Sequence, residues 1–423
     1  MSSITLFRER LRTRSLVHGA YRLLNIFKNY GFTCDHFCNL LDRYVKFLSH
    51  HNVRPTFPVT AFTVHRHPDL FRKLQDSGVE FAIHGYRHMD YTQLEAAIVR
   101  SHLEKAIRVF KENRIQYHGF RFPFLRRNPE STKVVSEFDF SWESSEVISW
   151  PIPVSPAVDH VRLRDVQKLL HSYHVKSSEE LASLPCSFHG CLEIPVSIPD
   201  DDLLIERLNA EESCIRTIWF SMLESTVERK EILVLQLHPE RFFAFRSVLR
   251  DVIYRAQHRR DVWIAPLQDI SAWWHERAGH AVDLHRKSGN WVADPVGNSR
   301  IAFETGETKK QPVRREWRAV NGLCIRSKNK PVIGLRAPVP HEIIDILNQE
   351  GYLFENADND RYNLLINEPD LKSGESLIRK IEGCDYPLIR KKRWPYPYQS
   401  SLSVTGDIDG IDFWDYWTRF YGK

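Results

Sequence analysis

Short apolar runs that end in reactive side chains constrain this fold most strongly. The run Val79 to Ile83 reads as a buried strand and is followed at once by His84. A second such run, Glu231 to Leu237, is followed by His238. Helical patterns such as 93–113 alternate with the runs, which predicts an α/β architecture with a parallel sheet or barrel. In such folds the chemistry lies at the carboxyl ends of the strands.

His84 and His88 form a His-x-x-x-His pair at the end of the first run. Two imidazoles at the mouth of a strand can share one divalent metal ion. The chain has 20 histidines, so this pair by itself is a weak signal, and two surface loop histidines are the alternative. Its weight comes from the polar residues at the other strand ends.

Two further strand ends carry charge. Arg121 interrupts the apolar run Gly119 to Phe124, and an arginine in such a run usually has a buried carboxylate partner, although a surface position is the alternative. Near the C-terminus, a strand of small and apolar residues ends in Asp407 and Asp409. These aspartates point the same way if the strand continues, because successive strand residues face opposite sides. A turn between their flanking glycines is the alternative.

Composition limits the class of protein. With 423 residues, the chain favours two domains, or one large barrel with an extra module. The net charge of +5 is spread along the chain, which does not indicate nucleic-acid binding but suits a polyanionic substrate or an acidic membrane surface. Seven cysteines without a Cys-x-x-Cys pair indicate reduced thiols in a cytoplasm.

Both ends of the barrel-like region show a change of pattern. No apolar run is long enough for a transmembrane helix, and the N-terminus does not resemble a secretory signal. Residues 4–29 predict an amphipathic helix that packs on the domain surface or contacts anionic lipid. From about Gly279, short β-type runs and one helix, Pro340 to Glu350, predict a small β-rich module.

Four stretches together resemble the polysaccharide deacetylase, or NodB-like, family of metal-dependent amide hydrolases. The similarity covers roughly residues 30–275 and 400–415. The matching stretches are the two-aspartate motif at 405–410, the His84 and His88 pair, the Arg-x-Pro-aromatic motif at 121–124, and the Leu-x-Leu-His motif at 235–238.

The order of these motifs departs from the family, in which the aspartate motif comes first. Here it comes last, which resembles a circular permutation, a rearrangement tolerated when the original termini lie close together. The permuted order predicts that the strand at 401–407 lies beside the strand at 56–61. The aspartates are also separated by Ile408, whereas the commonest family pattern has them adjacent.

The resemblance implies an α/β fold, a distorted (β/α)7-type barrel of the polysaccharide deacetylase kind with an inserted small β-rich module. We predict a barrel over residues 1–278 and an inserted module of unknown role over 279–392. Residues 393–423 then form a C-terminal strand that returns the aspartate motif to the barrel.

The resemblance also implies the roles of the strand-end residues. His84, His88 and Asp409 would bind one divalent ion, with zinc expected and cobalt, nickel, manganese or iron as alternatives. Asp407 would be the general base and His238 the general acid. The ion would lower the pKa of its bound water from about 15.7 towards about 7 and polarise the carbonyl.

Further residues complete the implied site. Arg121 would hold Asp407 through an ion pair, and the backbone N–H of Phe124 would help to stabilise the oxyanion. Either Asp139 or Glu143 would support His238. The substrate contacts are predicted at Tyr86, Asp90 and Trp142. A helix N-cap is an alternative role for Asp90, and Asp200 to Asp202 face either the mouth of the site or solvent.

The expected function is hydrolysis of the carbon–nitrogen bond of an N-acetyl group on an amino sugar. The expected substrate is a nucleotide-linked, lipid-linked or small glycoside amino sugar in the cytoplasm. A lipid-linked substrate would suit peripheral contact of the basic N-terminus with the inner membrane face. Two alternatives remain: a hydrolase of a small ureide or formamide on the same barrel, and a non-catalytic carbohydrate-binding barrel. The exact sugar and the oligomeric state are not predicted.

Overall fold

The fold is described from a computed structural model of the chain. It describes residues 33–152, 170, 175–296, 300–305, 316–317, 323–336, 338–367, 374–412 and 414–415. The helix predicted over residues 4–29 lies outside the described residues.

Each apolar run from which the site was predicted contains a strand, although the run to Phe124 is a strand only over Gly119–Phe120. The bounds of the strands are β1 Thr56–Val59, β2 Glu80–Ile83, β3 Gly119–Phe120, β4 Trp142–Glu143, β5 Val147–Ser149, β6 Lys176–Ser177, β7 Cys186–Phe188, β8 Cys191–Glu193, β9 Val196–Ile198, β10 Ile232–Leu237, β11 Val262–Ile264, β12 Val282–Lys287, β13 Asn290–Pro295, β14 Phe303–Thr305, β15 Glu316–Trp317, β16 Leu323–Ile325, β17 Lys330–Leu335, β18 Phe354–Asn356, β19 Tyr362–Ile366, β20 Ile389–Lys391 and β21 Ser400–Gly406.

The helices alternate with the strands of the first half of the chain. Their bounds are α1 Cys34–His50, α2 Ala61–Arg66, α3 Pro68–Asp76, α4 Ala96–Glu112, α5 Pro129–Val135, α6 Glu212–Arg229, α7 Phe242–Arg259, α8 Leu267–Gly279, α9 His341–Glu350 and α10 Gly374–Glu382. None of the helices in the described ranges combines the length and the apolar character that a membrane crossing requires.

Strand β21 lies in the middle of the main sheet. It pairs in parallel with β10 along its length and with β1 on its other side, where Thr405 is the partner of Thr56. An isolated parallel bridge joins Val59 to Ile408. The predicted contact between the strands at 401–407 and 56–61 is therefore present, and parallel pairing brings their carboxyl ends to one edge.

The sheet curls until its two ends meet. On one side β21 is followed by β1, β2, β3, β4 and β8, and on the other side by β10, β9 and β5. Strands β4 and β5 are separated by only three residues, and β8 and β9 by only two. Strand β4 pairs with β8 at one end of the sheet, and β5 pairs with β9 at the other end. The same stretches of chain thus belong to both ends of the sheet, and the predicted α/β class with a curled, barrel-like sheet is confirmed.

Helix α1 covers one side of this sheet because its apolar residues recur every three or four positions. Phe37, Leu41, Tyr44 and Leu48 are all buried. The Tyr44 ring stacks on Phe57 of β1 at 5.9 Å between ring centroids. Burial of each such side chain stabilises the fold by about 1.5–3 kcal/mol.

The region after α8 is rich in strands, as predicted. It contains a three-stranded sheet β12-β13-β16, a second β15-β14-β20 and a third β18-β17-β19. In addition to the predicted helix, α9, it contains α10. Trp273 and Trp274 of α8 share one apolar cluster with Phe303 and Trp394, so this region packs directly on the barrel.

Candidate active site

The first pair of candidate ligands follows β2. His84 continues the pairing of the strand, since its backbone N–H donates to the carbonyl oxygen of Val59 at 3.0 Å. Gly85 then turns the chain at a φ of +78°, in the left-handed region that favours glycine, and a Cβ atom there would lie 2.7 Å from Oη of Tyr91. This turn brings His88 back beside His84, with 5.1 Å between their ring centroids.

The tautomer of His84 is fixed by a backbone carbonyl. Its Nδ1 lies 2.9 Å from the carbonyl oxygen of Arg121, which can only accept, so Nδ1 carries the proton. The other ring nitrogen, Nε2, is buried without a hydrogen-bond partner among the residues that the structure describes. It faces Oδ1 of Asp409 at 3.5 Å. An unprotonated imidazole nitrogen next to a carboxylate oxygen is the arrangement expected of two ligands of one metal ion.

His88 completes the group of donors. Its Nε2 lies 3.4 Å from Oδ2 of Asp409. Two donors that bind a tetrahedral ion at about 2.0–2.1 Å lie about 3.3–3.4 Å apart. The three side chains converge to within 4.8 Å of one another, so His84, His88 and Asp409 fit the implied metal.

Asp407 is held next to this group from two sides. Arg121, fully buried, donates from Nη1 to Oδ1 of Asp407 at 2.7 Å. Gln236 of β10 donates from Nε2 to Oδ2 at 3.0 Å. Nε2 of His84 is 3.9 Å from the same Oδ2. The carboxylate therefore has a fixed orientation, and each oxygen retains a second lone pair.

The chain after β21 is joined to both neighbouring strands. The N–H of Asp407 donates to the carbonyl oxygen of Leu237 at 3.1 Å, and the N–H of Ile408 donates to Pro58 at 2.8 Å. The hydroxyl of Thr60 donates to the carbonyl oxygen of Asp409 at 3.2 Å. The backbone of β1 and β10 thus orients the two aspartates towards the histidines.

His238 directly follows β10 and is paired with Asp201. Its Nδ1 lies 2.7 Å from Oδ1 of Asp201, and its backbone N–H donates to the other carboxylate oxygen at 3.0 Å. Burial disfavours the imidazolium, but the charge of Asp201 and its hydrogen bond outweigh burial and raise the pKa of His238 well above its ordinary value.

The expectation that Asp139 or Glu143 supports His238 is wrong. Asp139 is exposed on the surface. Glu143 is buried against Arg127, with which it forms an ion pair. Asp201 takes the supporting place because β9 pairs with β10, and the chain that leaves β9 passes the end of β10. Residues 200–202 were predicted to face either the mouth of the site or solvent. Asp200 and Asp201 are buried and lie at this edge of the sheet.

The three predicted substrate contacts have different surroundings. Trp142 is completely buried against Gly119, which leaves it without access to a ligand and corrects that prediction. Asp90 has the alternative role, since it caps the turn Tyr91–Gln93 and forms an ion pair with Arg126 at 2.6 Å. Tyr86 lies 6.0 Å from the His102 ring, and its substrate contact stays a prediction.

Phe124 lies at the mouth of the site. Its side chain is 53% exposed, and its ring centroid is 4.2 Å from that of His88. Its φ of 61° lies in the left-handed region, which is unfavourable for a phenylalanine. The turn Pro123–Leu125 therefore presents the residue beside the group of metal donors.

Residues 28–142 match the family model for polysaccharide deacetylase. They contain both histidines and the Arg-x-Pro-aromatic motif. This segment belongs to the polysaccharide deacetylase family. No curated protein sequence matches the chain.

The solved structures that are similar to the chain include the following three. A Mycobacterium smegmatis structure assigned to the polysaccharide deacetylases is 21% identical, has a TM-score of 0.45, and the match covers 59% of this chain and 81% of that one. A similarly assigned Pseudomonas aeruginosa PAO1 structure is 21% identical, has a TM-score of 0.44, and the match covers 56% of this chain and 73% of that one. Puue allantoinase is 19% identical, has a TM-score of 0.44, and the match covers 56% of this chain and 72% of that one.

Around the deacetylase motifs, sequence reasoning missed a layer that supports Arg121. Its Nε donates to the carbonyl oxygen of Ser144 at 2.8 Å, and its Nη2 donates to the Ser144 hydroxyl at 2.9 Å. The next turn is held by Glu193, which accepts from the N–H groups of Ser145 and Glu146 at 3.0 and 2.9 Å. Polar residues inside short buried strands were the available signal.

A second group with metal-ligand chemistry lies nearby, and both of its carboxylates are already paired with an arginine. His67, Asp412 and Asp415 converge within the same 4.8 Å limit. Arg66, however, donates to Asp412 from Nη1 and Nη2, at 2.9 Å each, and forms an ion pair with Asp415. We read this cluster as an anchor for the segment after the aspartate motif.

Proposed function

We propose that the chain is a metal-dependent hydrolase that removes an N-acetyl group from an amino sugar. The match of residues 28–142 to the deacetylase family supports hydrolysis of this general kind. One observation carries the proposal: His84, His88 and Asp409 converge beside a carboxylate, Asp407, that is separately held by Arg121.

Asp407 is proposed as the general base. A base must be fixed within reach of the water whose proton it takes. Arg121 and Gln236 occupy one lone pair on each oxygen and direct the carboxylate towards the metal donors. A bound ion would supply polarisation of the carbonyl and a lower pKa for its water.

His238 is proposed as the general acid. Its Nδ1–H donates to Asp201, which leaves Nε2–H as the proton available to the leaving amine. The raised pKa of His238 favours the imidazolium, the form that can donate this proton. The backbone N–H of Phe124 is the proposed donor to the oxyanion.

We interpret the motif order as a circular permutation and retain the proposed division into 1–278, 279–392 and 393–423. The position of β21 between β10 and β1 supports this interpretation, since a first strand of the usual order would need those two neighbours. The proposed substrate class is an acetylated amino sugar, lipid-linked or nucleotide-linked, in the cytoplasm.

The deciding experiment is metal content by elemental analysis, combined with acetate release from N-acetylated sugars. Wild type is compared with His84→Ala plus Asp409→Ala and with His258→Ala, which removes an exposed histidine of α7. We expect one ion per chain and acetate release in wild type and in the His258 variant, and neither in the double variant. A wild type that holds no ion after loading with any of the five metals would reject the catalytic proposal.

A further inference from the structure

A basic cleft lies between α1 and α7, on the outside of the barrel. Its volume is about 710 Å³. Six of the lining side chains are arginine, lysine or histidine, and none is aspartate or glutamate; the basic residues are Arg43, Lys46, His50, His51, Arg246 and Arg250. Such a lining creates a positive potential that favours an anionic ligand.

Two of these cations have no carboxylate partner among the described residues. Arg43 lies over the ring of Phe243 at 6.0 Å, and Arg246 lies over the rings of Phe47 and Phe242 at 5.8 and 5.9 Å. A phenyl face holds a guanidinium in place without cancelling its charge. Both guanidinium groups thus remain available to an anion.

The neighbouring cleft on the same helix shows the contrast. It is lined by Arg255 and Arg259, but also by Glu224 and Asp251. Glu224 pairs with Arg255 at 2.5 Å and with Arg259 at 2.6 Å. There the basic groups are used within the protein, whereas at Arg43 and Arg246 they are not.

The exposed face of α7 also presents aromatic side chains. Phe243 is 56% exposed and Tyr254 is 59% exposed, and these two positions are eleven residues apart. Eleven residues complete about three helical turns, so both rings lie on one face, with Arg250 between them. Aromatic rings interleaved with basic groups are typical of a surface that lies at a membrane interface.

We propose that the cleft between α1 and α7 binds the phosphate-bearing headgroup of an anionic lipid at a bilayer surface, with Phe243 entering the boundary of the acyl chains. Charge complementarity selects this ligand: the cleft offers two uncompensated guanidinium groups, and the exposed phenyl ring beside them would bury apolar surface in the acyl chains next to the anion. The cleft would bind in this way whatever reaction the barrel performs.

Cosedimentation of the full chain with vesicles tests this site. The vesicles contain phosphatidylglycerol with phosphatidylcholine, or phosphatidylcholine alone. Each basic residue near an anionic surface is worth a factor of about 5 in partitioning, so Arg43→Gln plus Arg246→Gln should reduce binding to the anionic vesicles about 30-fold. The matched control, Arg255→Gln plus Arg259→Gln, removes two paired charges from the same helix and should change binding less than about 3-fold.

Three results would overturn the proposal. The first is absence of preference for the anionic vesicles in wild type. The second is wild-type binding by the Arg43 and Arg246 double variant, which would place any membrane contact elsewhere in the chain. The third is complete displacement from vesicles by millimolar inorganic phosphate at constant ionic strength, which would make a soluble phosphate the ligand. Loss of binding in Phe243→Ser, with its fold retained by circular dichroism, would support the apolar half of the site.

Discussion

Arg121 donates a 2.7 Å hydrogen bond to Asp407, a residue 286 positions later in the chain. Both side chains are buried: that of Arg121 is completely inaccessible to solvent, and that of Asp407 is 5% exposed. This contact joins the Arg-x-Pro motif to the aspartate motif, so one ion pair links the two halves of the proposed site.

Removal of one partner from this ion pair should lower the free energy of unfolding by more than the intact pair contributes to it. We expect Asp407→Asn to abolish acetate release and to lower the free energy of unfolding by about 3–5 kcal/mol, because it leaves a buried guanidinium without its counter-charge. Urea unfolding measures the change. The matched variant Arg121→Met with Asp407→Leu removes both charges, and recovery of most of the lost stability is expected in it. Equal destabilisation of the single and double variants would contradict this account.

The pairing of His238 with Asp201 predicts a pH dependence of activity. Asp201→Asn removes the charge that raises the pKa of His238, so the acid form would be lost at lower pH. We expect the alkaline limb of the kcat/KM profile to move to lower pH in this variant. An unchanged limb would show that another group supplies the proton.

The same pair predicts a pH dependence of stability. The folded pKa of His238 is raised above its unfolded value, so its contribution is fully present below about pH 6.5 and is lost as the pH rises through the folded pKa. The difference in unfolding free energy between wild type and His238→Gln should therefore shrink as the pH rises. Urea unfolding from pH 5.5 to 9 measures this, and a growing difference would contradict the assignment.

Metal binding should stabilise the folded chain through His84, His88 and Asp409. Free ion at about 100 times its dissociation constant should add about 2.7 kcal/mol, which thermal unfolding detects as a higher Tm. A chelator should remove the increase in wild type, and His88→Ala should not show it at all. Retention of the full shift by His88→Ala would place the ion at another site.

Gly85 offers a test of how the histidines are positioned. In Gly85→Ala the alanine would have a φ of +78°, and its Cβ would lie 2.7 Å from Oη of Tyr91. In Gly190→Ala the φ would be +87°, and no atom lies within 4 Å of the new Cβ. We expect the Gly190 variant to lose about 1 kcal/mol of stability, and the Gly85 variant to lose more and also to bind the metal less tightly. Equal losses would show that Tyr91 moves aside without cost.

The sequence was informative where a long apolar strand ended in a polar residue. His84, His238 and Asp407 follow strands of four to seven residues, so their place at one edge could be predicted. Asp201 could not, because it reaches His238 through a pairing between β9 and β10 that no local pattern indicates.

The prediction that Trp142 contacts the substrate is wrong for a related reason. Strand β4 contains only Trp142 and Glu143, which is too short for alternation to show which side chain points inward. Its position depends on Gly119 of the neighbouring strand, where a Cβ would lie 2.1 Å from the indole. Such a fit between two strands is visible only once the register is known.

The central place of β21 has a consequence for biosynthesis. Gln236 and Asp407 are 171 positions apart, so at about 5–20 residues per second the ribosome completes β10 roughly 10–30 s before it delivers its partner. During that interval the facing edges of β10 and β1 have no strand between them, and open edges of this kind invite pairing with other chains. The nascent chain should therefore depend on protection by chaperones until β21 emerges.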